Sequence, residues 1–408
     1  MTEHADLVIV GAGAAGLMAA IWAGRAGPKR TIIALDGARK LGAKILVAGG
    51  GRCNVTHDVV DPRLYAGSSP NAIRKVLRRF DVEQTIAFFR DRGVILKRED
   101  TGKLFPISDD AQTVLDALLG AARAVGVELR HPRRVEQIER CAKGFAVRGS
   151  WGEITAAKVI LATGGMSLPR SGSDGAGYAL ARSLGVTVTE RIFPALVPLT
   201  LPRDHVLCSL SGVAAPAALN LHAPSGKRLH QTTGALLCTH FGLSGPAALD
   251  FSRYFVDAQF ADPAVCVAVN WLPDLTGEAL EAELLALGKS GVLRWLARRL
   301  PERLARALLS EARVEPGRTG DALSREARRA LIQQVTQMPL PLTGTRGFTY
   351  AEVTAGGVPL SELRLETMEA RACPGLHLCG EICDVDGPIG GYNFQWAWAS
   401  GYVAGVST

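Results

Sequence analysis

The stretch from Asp6 to Asp36 constrains the fold of this chain more than any other part of the sequence. It opens with an apolar run, Leu7 to Val10, which is typical of a strand buried on both faces. Gly11, Gly13 and Gly16 follow in G-x-G-x-x-G spacing, and an alanine-rich helical segment then leads to a second apolar strand. This order of strand, glycines, helix and strand predicts a dinucleotide-binding βαβ unit.

Each glycine of this unit has a mechanical reason. Gly11 permits the tight turn off the strand, Gly13 lets a pyrophosphate approach the backbone, and Gly16 lets helix and strand pack closely. Ala14 and Ala15 then begin the helix, whose N-terminus offers unpaired N–H groups and partial positive charge to phosphates. We expect all five residues to bind the cofactor through their backbone.

An acidic residue closes the unit. Asp36 lies about twenty residues beyond the glycines, where a carboxylate accepts hydrogen bonds from an adenosine ribose. A signal peptide would need a basic first region, but Glu3 and Asp6 are acidic. A membrane span would need about 20 apolar residues without such glycines. The sequence therefore predicts neither a signal peptide nor a membrane anchor.

Length and cysteine usage narrow the class of protein. A chain of 408 residues exceeds what one hydrophobic core usually serves, so we expect two or three domains. The eight cysteines form no C-x-x-C pair and no disulfide-like framework, which favours a cytoplasmic location because that compartment keeps thiols reduced. We predict no metal site.

A second glycine-rich loop follows the first unit. Gly49, Gly50 and Gly51 stand in a row and provide no side chain for packing, so we expect the backbone there to pass very close to a ligand. We interpret this loop and its flanks as neighbours of a bound cofactor, with the following residues in contact: Lys44, Gly50, Gly51, Arg52, Cys53 and Asn54.

This loop resembles the redox-active loop of the two-dinucleotide flavoproteins related to glutathione reductase. Cys53 stands in a similar place, but Asp58 and not a cysteine lies five residues further on, which argues against a disulfide relay. We interpret Cys53 as a structural or flavin-contacting thiol and keep a catalytic thiol as the alternative. A later apolar strand ends in Ala162, Thr163 and Gly164, and in flavoproteins of this kind such a strand returns to the nucleotide beneath the first βαβ unit.

The middle of the chain changes pattern twice. Short strands from Val127 to Ala156 predict a β-meander within the first domain. Later β-runs are broken by proline and glycine, and leucines then recur at helical spacing. The predicted division is a Rossmann-type domain at 1–189 and 352–408, a β domain at 190–272 and 340–352, and a helical domain at 273–339.

Two features of this middle region allow alternative interpretations. The run from Gly172 to Gly177 is similar to a nucleotide loop, but no buried strand precedes it, so we expect Asp174 to cap a helix and expect no second dinucleotide site. His240 lies at a strand end, where a hydrogen-bonded structural role is favoured over an acid/base role.

Basic residues are concentrated in the predicted helices and raise the question of RNA. The net charge is +7, and ten arginines lie between 294 and 329 with glutamates interspersed. No aromatic pattern for stacking bases accompanies them, so we favour a solvated helix face and expect no nucleic acid as a partner. RNA binding or modification remains the alternative.

The C-terminal segment supplies the second half of the expected cofactor site. A short apolar strand ends at Gly380 and Glu381, and in FAD oxidoreductases a strand with this ending holds the ribityl chain through the carboxylate. Glycines then launch a helix near Tyr392, and its N-terminus can face the pyrimidine edge of a flavin. We expect contacts to the ring from Gly391, Tyr392 and Asn393, with Asp386 as a further neighbour.

With both ends considered, the chain resembles the BaiN/aminoacetone oxidase family of FAD-binding flavoproteins. The matching segments are VIVGAGAAGLMAA, GGGRCNVT, ATGG, GSDGAGY, THFGLSGPA, VTAGGV and the C-terminal DVDGP and QWAW blocks. The resemblance implies an α/β, glutathione-reductase-like FAD-binding Rossmann domain with inserted β-barrel-like and helical domains. It implies FAD held between the two chain ends.

The leading functional hypothesis is an FAD-dependent oxidoreductase that transfers a hydride between flavin N5 and a small organic substrate of the amine, ketone or enone class. NAD(P)H is expected as a transient electron donor, with oxygen as the alternative reaction partner. His240, Tyr392 and Cys53 are weak candidates for catalytic groups. A redox sensor that binds FAD structurally is a third possibility. The sequence assigns no oligomeric state.

Overall fold

The computed structural model describes residues 3–27 and 29–408. The chain divides into two compact units, one formed by Met1–Pro194 with Glu352–Thr408 and the other by Ala195–Ala351. The first unit thus joins both chain ends. The second contains strands together with helices, and the separation of 273–339 as a domain of its own stays a prediction.

The first unit contains most of the strands. Its helices are α1 (Ala14–Ala26), α2 (Ala43–Gly51), α3 (Pro70–Leu77), α4 (Val82–Arg90), α5 (Ala111–Ala124), α6 (Ala176–Ser183) and α13 (Tyr392–Val406). Its strands are β1 (Glu3–Val10), β2 (Ile32–Leu35), β3 (Thr56–His57), β4 (Ala66–Gly67), β5 (Leu96–Arg98), β6 (Lys103–Pro106), β7 (Glu128–Arg130), β8 (Gln137–Cys141), β9 (Gly144–Gly149), β10 (Gly152–Leu161), β19 (Val353–Ala355), β20 (Leu363–Arg364), β21 (Glu369–Ala370), β22 (Leu376–Leu378) and β23 (Val385–Asp386).

The elements of the second unit begin at its boundary, which β11 (Phe193–Ala195) crosses. Its other strands are β12 (Leu199–Thr200), β13 (Ala214–His222), β14 (Arg228–Thr239), β15 (Gly242–Ser244), β16 (Cys266–Asn270), β17 (Met338–Leu340) and β18 (Gly344–Thr345). Its helices are α7 (Val206–Ser209), α8 (Pro246–Ala261), α9 (Gly277–Ala286), α10 (Val292–Ala297), α11 (Glu302–Glu311) and α12 (Arg325–Thr336).

A mostly parallel sheet organises the first unit, with strand order β20-β21-β22-β10-β1-β2-β7. The apolar β1 lies at its centre, where Val10 is in register with Leu35 of β2 and Leu161 of β10. Leu161 is in turn in register with Leu378 of β22. With β7, which pairs in parallel with β2, the carboxyl ends of five parallel strands meet at one edge, which is where open α/β sheets bind ligands.

The two chain ends meet because α1 packs directly on α13. A Cβ at Gly401 would lie 2.5 Å from the carbonyl oxygen of Ala15, and one at Gly405 would lie 2.4 Å from that of Ala19. Glycines four residues apart on one helix face thus allow the backbones to approach closely. Trp396 and Trp398 of α13 are 1% and 0% exposed, so both lie in the hydrophobic core.

The segment from 127 to 161 differs from the predicted meander. β7 leaves the antiparallel pattern and pairs in parallel with β2, so only β8, β9 and β10 form the meander. The predicted strands at 152–156 and 158–163 are one ten-residue strand, β10, which pairs with β9 over its first half and with β1 along most of its length. β10 can pair with both β9 and β1 because a strand has two hydrogen-bonding edges.

The second unit is built on a seven-stranded sheet of order β17-β16-β13-β14-β15-β12-β18. Its pairings are antiparallel, with a long β13–β14 hairpin at the centre. The apolar side chains of this sheet share one core with the surrounding helices, including Phe251 of α8, Leu284 of α9 and Leu308 of α11.

Candidate cofactor site

The first loop of the site lies between β1 and α1. Gly11 has φ +100°, and a Cβ there would lie 2.4 Å from the carbonyl oxygen of Ala162; a Cβ at Gly16 would lie 1.9 Å from the oxygen of Gly11. Around Gly13, by contrast, no atom would lie within 4 Å. The outer glycines therefore allow close protein packing, whereas Gly13 borders open space.

The N-terminus of α1 begins beside this open space and is not capped by a side chain of the described residues. Its N-cap is Gly13, no side chain caps the helix, and its first turn, which begins with Ala14 and Ala15, contains no acid. The first amides of a helix have no partner within the helix, so they are available to a phosphate.

Asp36 follows β2 and holds the first loop in place. Its Oδ2 accepts from the amide of Ala12 at 2.7 Å, and its Oδ1 accepts from the amide of Ala38 at 2.8 Å. A carboxylate has about four lone-pair positions, so each oxygen retains capacity for a ribose hydroxyl. The position is the one that ribose binding requires, and the role of Asp36 stays a prediction.

The end of β10 packs against the first loop. The amide of Ala162 donates to the carbonyl of Val10 at 2.8 Å. A Cβ at Gly177 of α6 would lie 1.8 Å from Oγ1 of Thr163, and one at Gly164 would lie 2.4 Å from Oγ of Ser173. The predicted residues Ala162, Thr163 and Gly164 therefore pack between the first loop and α6.

The second glycine loop forms the end of α2, and its backbone is left-handed. Gly49, Gly50 and Gly51 have φ values of +59°, +70° and +88°, a region that residues with a Cβ rarely adopt. No atom would lie within 4 Å of a Cβ at Gly50, so the backbone here is exposed. The open backbone fits the expected approach of a ligand.

The residues after this loop have different surroundings. Arg52 is ion-paired to Glu99 at 2.6 Å, and its guanidinium lies 4.0 Å from the ring centre of Phe105. Asn54 is 8% exposed, and its Oδ1 is a buried acceptor with no hydrogen-bond partner in the described chain. Such an orphaned acceptor is typical of a site that a ligand completes.

Cys53 is fully buried, and burial raises the pKa of its thiol to about 12. The thiolate is the nucleophilic form of cysteine, so a thiol with this pKa is unreactive near neutral pH. This environment favours the structural interpretation of Cys53 over the catalytic one.

Glu381 and Lys44 form the most polar part of the site. Lys44 Nζ lies 2.7 Å from Glu381 Oε2 and 2.7 Å from Ser167 Oγ. The other carboxylate oxygen, Oε1, accepts from Ser167 Oγ at 2.8 Å and from the amide of Thr354 at 3.0 Å. The network fixes the carboxylate and leaves acceptor capacity on Oε2 for a ribityl hydroxyl.

Ser167 and Thr354 were not predicted as site residues. Thr354 Oγ1 accepts from the amides of Met166 and Ser167, so the two segments are linked directly. Both residues belong to the sequence blocks on which the family resemblance depends, ATGG with the following serine and VTAGGV. That is the one signal that could have identified them.

A glycine turn leads into α13. Gly391, with φ +95°, is its N-cap, and neither a capping side chain nor a first-turn acid is present. Asn393 closes the turn by accepting from the amide of Gly387 and donating to its carbonyl, both at 2.9 Å. The N-terminus of α13 therefore carries partial positive charge beside the site.

The remaining predicted residues lie around this turn. Gly380 has φ +78°, and its amide donates to Ser400 Oγ of α13 at 2.9 Å. Asp386 is 3% exposed and lies in β23, in register with Ala66 of β4. Both belong to the segment that connects β22 to α13, and their contact with a flavin stays a prediction.

The two other acid/base candidates lie in different units. Tyr392 is 6% exposed, and its hydroxyl donates to the carbonyl of Val59 at 3.1 Å. His240 is exposed in the second unit, where its ring lies 5.1 Å from that of Phe241. Neither geometry assigns a catalytic role.

The run from Gly172 to Gly177 has no strand before it. A short 3-10 helix, Pro169–Ser171, precedes it, and α6 begins at Ala176 with Gly175 as its N-cap. Asp174 Oδ1 accepts from the amide of Ala176 at 3.2 Å, so Asp174 helps to cap the helix as predicted.

Metal-binding clusters and membrane-spanning helices are both absent from residues 3–27 and 29–408. These residues contain no group of three or more histidine, cysteine or acidic side chains arranged to hold a metal ion. None of their helices is both long and apolar enough to cross a membrane.

The geometry fits a dinucleotide flavin. The uncapped N-terminus of α1 lies where β1 ends, and the uncapped N-terminus of α13 lies beyond the end of β22, because Ser400, eight residues into α13, already contacts Gly380. Open backbone at Gly13 and Gly50 leaves room for a ligand, and the carboxylates of Asp36 and Glu381 retain acceptor capacity. Asn54 adds an unsatisfied buried acceptor within the described residues.

Similar proteins cover almost the whole chain. A 3-dehydro-bile acid delta(4,6)-reductase of Clostridium scindens is 35% identical over 402 residues, which is 97% of each chain. A ribosomal RNA dihydrouridine synthase of Escherichia coli is 36% identical over 403 residues, 98% of this chain and 97% of that protein. The solved structure of 3-ketosteroid delta1-dehydrogenase from Sterolibacterium denitrificans has a TM-score of 0.53 at 13% identity and covers 99% of both chains, which is a likeness of fold.

The sequence profile of the HI0933-like protein Rossmann domain matches residues 5–407. The match includes both glycine loops, the end of β10 and the C-terminal helix. The chain therefore belongs to the HI0933-like family of FAD-binding Rossmann proteins, a family of FAD-dependent oxidoreductases.

Proposed function

We propose that this protein is an FAD-dependent reductase of carbon–carbon double bonds conjugated to a carbonyl group. The observation that carries the proposal is the chemistry shared by the names of two full-length relatives. A 3-oxo steroid with double bonds at positions 4 and 6 is a conjugated enone. Dihydrouridine arises when the uracil double bond conjugated to a ring carbonyl is saturated. Both reactions add a hydride and a proton to an activated double bond.

FAD, when bound, supplies the hydride in this reaction. Gly13 and the first turn of α1 would hold the pyrophosphate, Asp36 the adenosine ribose, and Glu381 with Lys44 the ribityl chain. The N-terminus of α13 would stabilise the negative charge of the reduced ring by about 0.3–1 kcal/mol, or up to about 2 kcal/mol if partly buried. The enone class thus replaces the broader group of amines, ketones and enones in this proposal.

A nicotinamide dinucleotide is the proposed electron donor. The segment from Gly172 to Gly177 follows a 3-10 helix, so it lacks the strand that a second Rossmann loop needs. We therefore propose that NADH or NADPH binds transiently near the flavin ring. All eight cysteines are free, which supports a reducing, cytoplasmic setting.

Anaerobic mixing tests the proposed function. FAD-loaded protein is reduced with NADPH or NADH and then mixed with a 3-oxo-4,6-diene steroid, with uridine-containing RNA, or with small cyclic enones. We expect at least one conjugated acceptor to restore the absorbance of oxidised flavin faster than buffer does, and its saturated analogue to have no effect. Reoxidation by none of the conjugated acceptors would contradict the proposal.

A second candidate function is the reduction of a double bond in a base of RNA. Five exposed arginines of the second unit form no hydrogen bond or ion pair through their side chains with any other described residue: Arg294, Arg298, Arg313, Arg325 and Arg329. Other arginines of these helices are engaged, such as Arg299 with Glu283 and Arg306 with Glu302. Arginines without acidic partners support phosphate binding, against the expectation of no nucleic acid.

The salt dependence of RNA retention tests this candidate. If all five arginines contact phosphates of single-stranded RNA, the logarithm of the affinity falls with the logarithm of the salt concentration with a slope of roughly −3.5. Substituting Arg294, Arg298, Arg325 and Arg329 by Gln lowers the slope and leaves steroid or small-enone reduction unchanged. Salt-independent or absent RNA retention would exclude RNA.

A further inference from the structure

Two ionisable side chains beside the cofactor site have no role in its hydrogen-bond network. Glu352 directly precedes β19, and its backbone carbonyl accepts from Ser167 Oγ at 3.2 Å. Two residues further on, the amide of Thr354 donates to Glu381 Oε1 at 3.0 Å. The backbone at Glu352 is therefore anchored next to the carboxylate expected to hold the ribityl chain.

Lys103 approaches the same region from β6. Its Cε would lie 3.7 Å from a Cβ at Gly390, the residue that directly precedes the N-cap of α13. Lys103 also acts electrostatically on Glu352, whose carboxylate it stabilises. Neither side chain has a hydrogen bond or an ion pair with the residues that the structure describes.

Other polar groups near the turn are already engaged. The hydroxyl of Tyr392 donates to the carbonyl of Val59 at 3.1 Å. The ring of His57 is held at both nitrogens, by the amide of Val59 at 3.2 Å and the carbonyl of Thr101 at 2.9 Å. The side chain of Glu352, by contrast, is solvent-accessible and has no hydrogen bond or ion pair with a described residue. A group that exchanges protons with substrate and solvent must be accessible in this way.

The surroundings of Glu352 favour its protonated form. Solvent reaches the side chain, yet the protein around it desolvates the carboxylate, and this raises the pKa of Glu352 above its ordinary value of 4.5. Lys103 opposes the shift without cancelling it. A carboxylic acid that keeps its proton to higher pH is better matched to donating it near neutrality.

We propose that Glu352 is the proton donor of the reaction and that Lys103 is a positioning residue that controls its charge. The inference rests on the proposed reduction of a conjugated double bond. The hydride from reduced FAD forms the new C–H bond at the β-carbon, and the electrons of the double bond move to the α-carbon. There a second C–H bond forms as the O–H bond of Glu352 breaks. The substrate is reduced by two electrons, FAD is oxidised, and the carboxylate regains a proton from solvent.

The first test compares Glu352→Gln with Glu366→Gln, a control at an exposed acid outside the site. In FAD-loaded protein, we expect E352Q to lower turnover of the conjugated acceptor by about 10²–10⁴-fold, the usual contribution of a general acid. FAD affinity and the rate of flavin reduction by NADPH should stay within about twofold of wild type. Equal turnover in E352Q and wild type would overturn the proposal.

The second test needs no substrate. Infrared difference titration of the FAD-loaded protein should reveal a protonated carboxyl band that disappears in E352Q and titrates above the ordinary range of glutamate. Lys103→Met removes a positive charge, so it should move this titration to higher pH, whereas Lys97→Met on the neighbouring β5 should not. In K103M, the pH at which turnover is lost on the alkaline side should also rise.

The two tests separate the two hypotheses. If the wild type reduces no conjugated acceptor, the proposed function fails, and the infrared titration still determines whether Glu352 holds a proton. If wild type is active but no band is assigned to Glu352, or if K103M leaves its titration unmoved, the roles of Glu352 and Lys103 are refuted while the proposed function stands.

Discussion

The two helices that begin at the cofactor site both start at a glycine, but for different reasons. Gly13, before α1, has φ −81° and no neighbour within 4 Å of a Cβ. Gly391, before α13, has φ +95°, and its Cβ would lie 2.5 Å from the carbonyl carbon of Thr56. The first position tolerates a side chain within the protein itself, so its glycine is consistent with the predicted approach of the FAD pyrophosphate and is not required by packing. The second is explained by the fold.

The largest effect should come from Gly391→Ala. A left-handed conformation costs an alanine about 1–2 kcal/mol, and overpacking against backbone costs about 1–3 kcal/mol. We therefore expect the free energy of unfolding to fall by about 2–5 kcal/mol, measured by urea unfolding of the FAD-free protein. A variant as stable as wild type would mean that the turn before α13 adapts.

Gly13→Ala should have the opposite profile. We expect the stability of the FAD-free protein to change by less than about 1 kcal/mol, because the added methyl group meets no protein atom. FAD affinity should fall roughly tenfold or more, since the methyl group displaces a pyrophosphate from the backbone. Fluorescence titration with FAD measures this, and each glycine variant is the control for the other.

A smaller effect is expected from removing the lysine that pairs with Glu381, one of the two acids of the site. Asp36 is held by backbone amides, whereas Glu381 is also held by the charged Lys44. Lys44→Met should weaken FAD binding by about threefold to tenfold, as the loss of one hydrogen-bonded partner does. Lys40→Met, at an exposed lysine, is the control. Equal FAD affinity in both variants would show that Lys44 does not support Glu381.

The smallest effect concerns the thiol of the second glycine loop. Burial raises the pKa of Cys53 to about 12, so alkylation near pH 8 should modify the exposed Cys141 and Cys266 and leave Cys53 intact, as mass spectrometry can follow. Because the folded pKa exceeds the ordinary 9.0, this thiol should also lower stability as pH rises from about 9 to about 12. Early labelling of Cys53 would favour a catalytic thiol.

Local signals in the sequence predicted local structure well. Asp81 caps α4 with Gln84 in a capping box, and Asp110 caps α5; each acid stands directly before the helix that it caps. The pairing of β7 with β2 was missed because strand patterns specify a strand and not its partner. Ser167 and Thr354 were missed for a related reason: the hydrogen bonds from Ser167 to Thr354 and to Glu381 span 187 and 214 positions of the sequence.

Local patterns suffice to predict the first glycine loop and the glycine turn and helix near the other end of the sequence, because turns, caps and apolar periodicity depend on neighbouring residues. The three-dimensional arrangement is needed to see that Gly13 is open while Gly391 is enclosed, and that Lys103, beside the turn before α13, acts electrostatically on Glu352. Those properties depend on which distant segments the parallel sheet and the α1–α13 contact bring together. No local sequence pattern specifies those pairings.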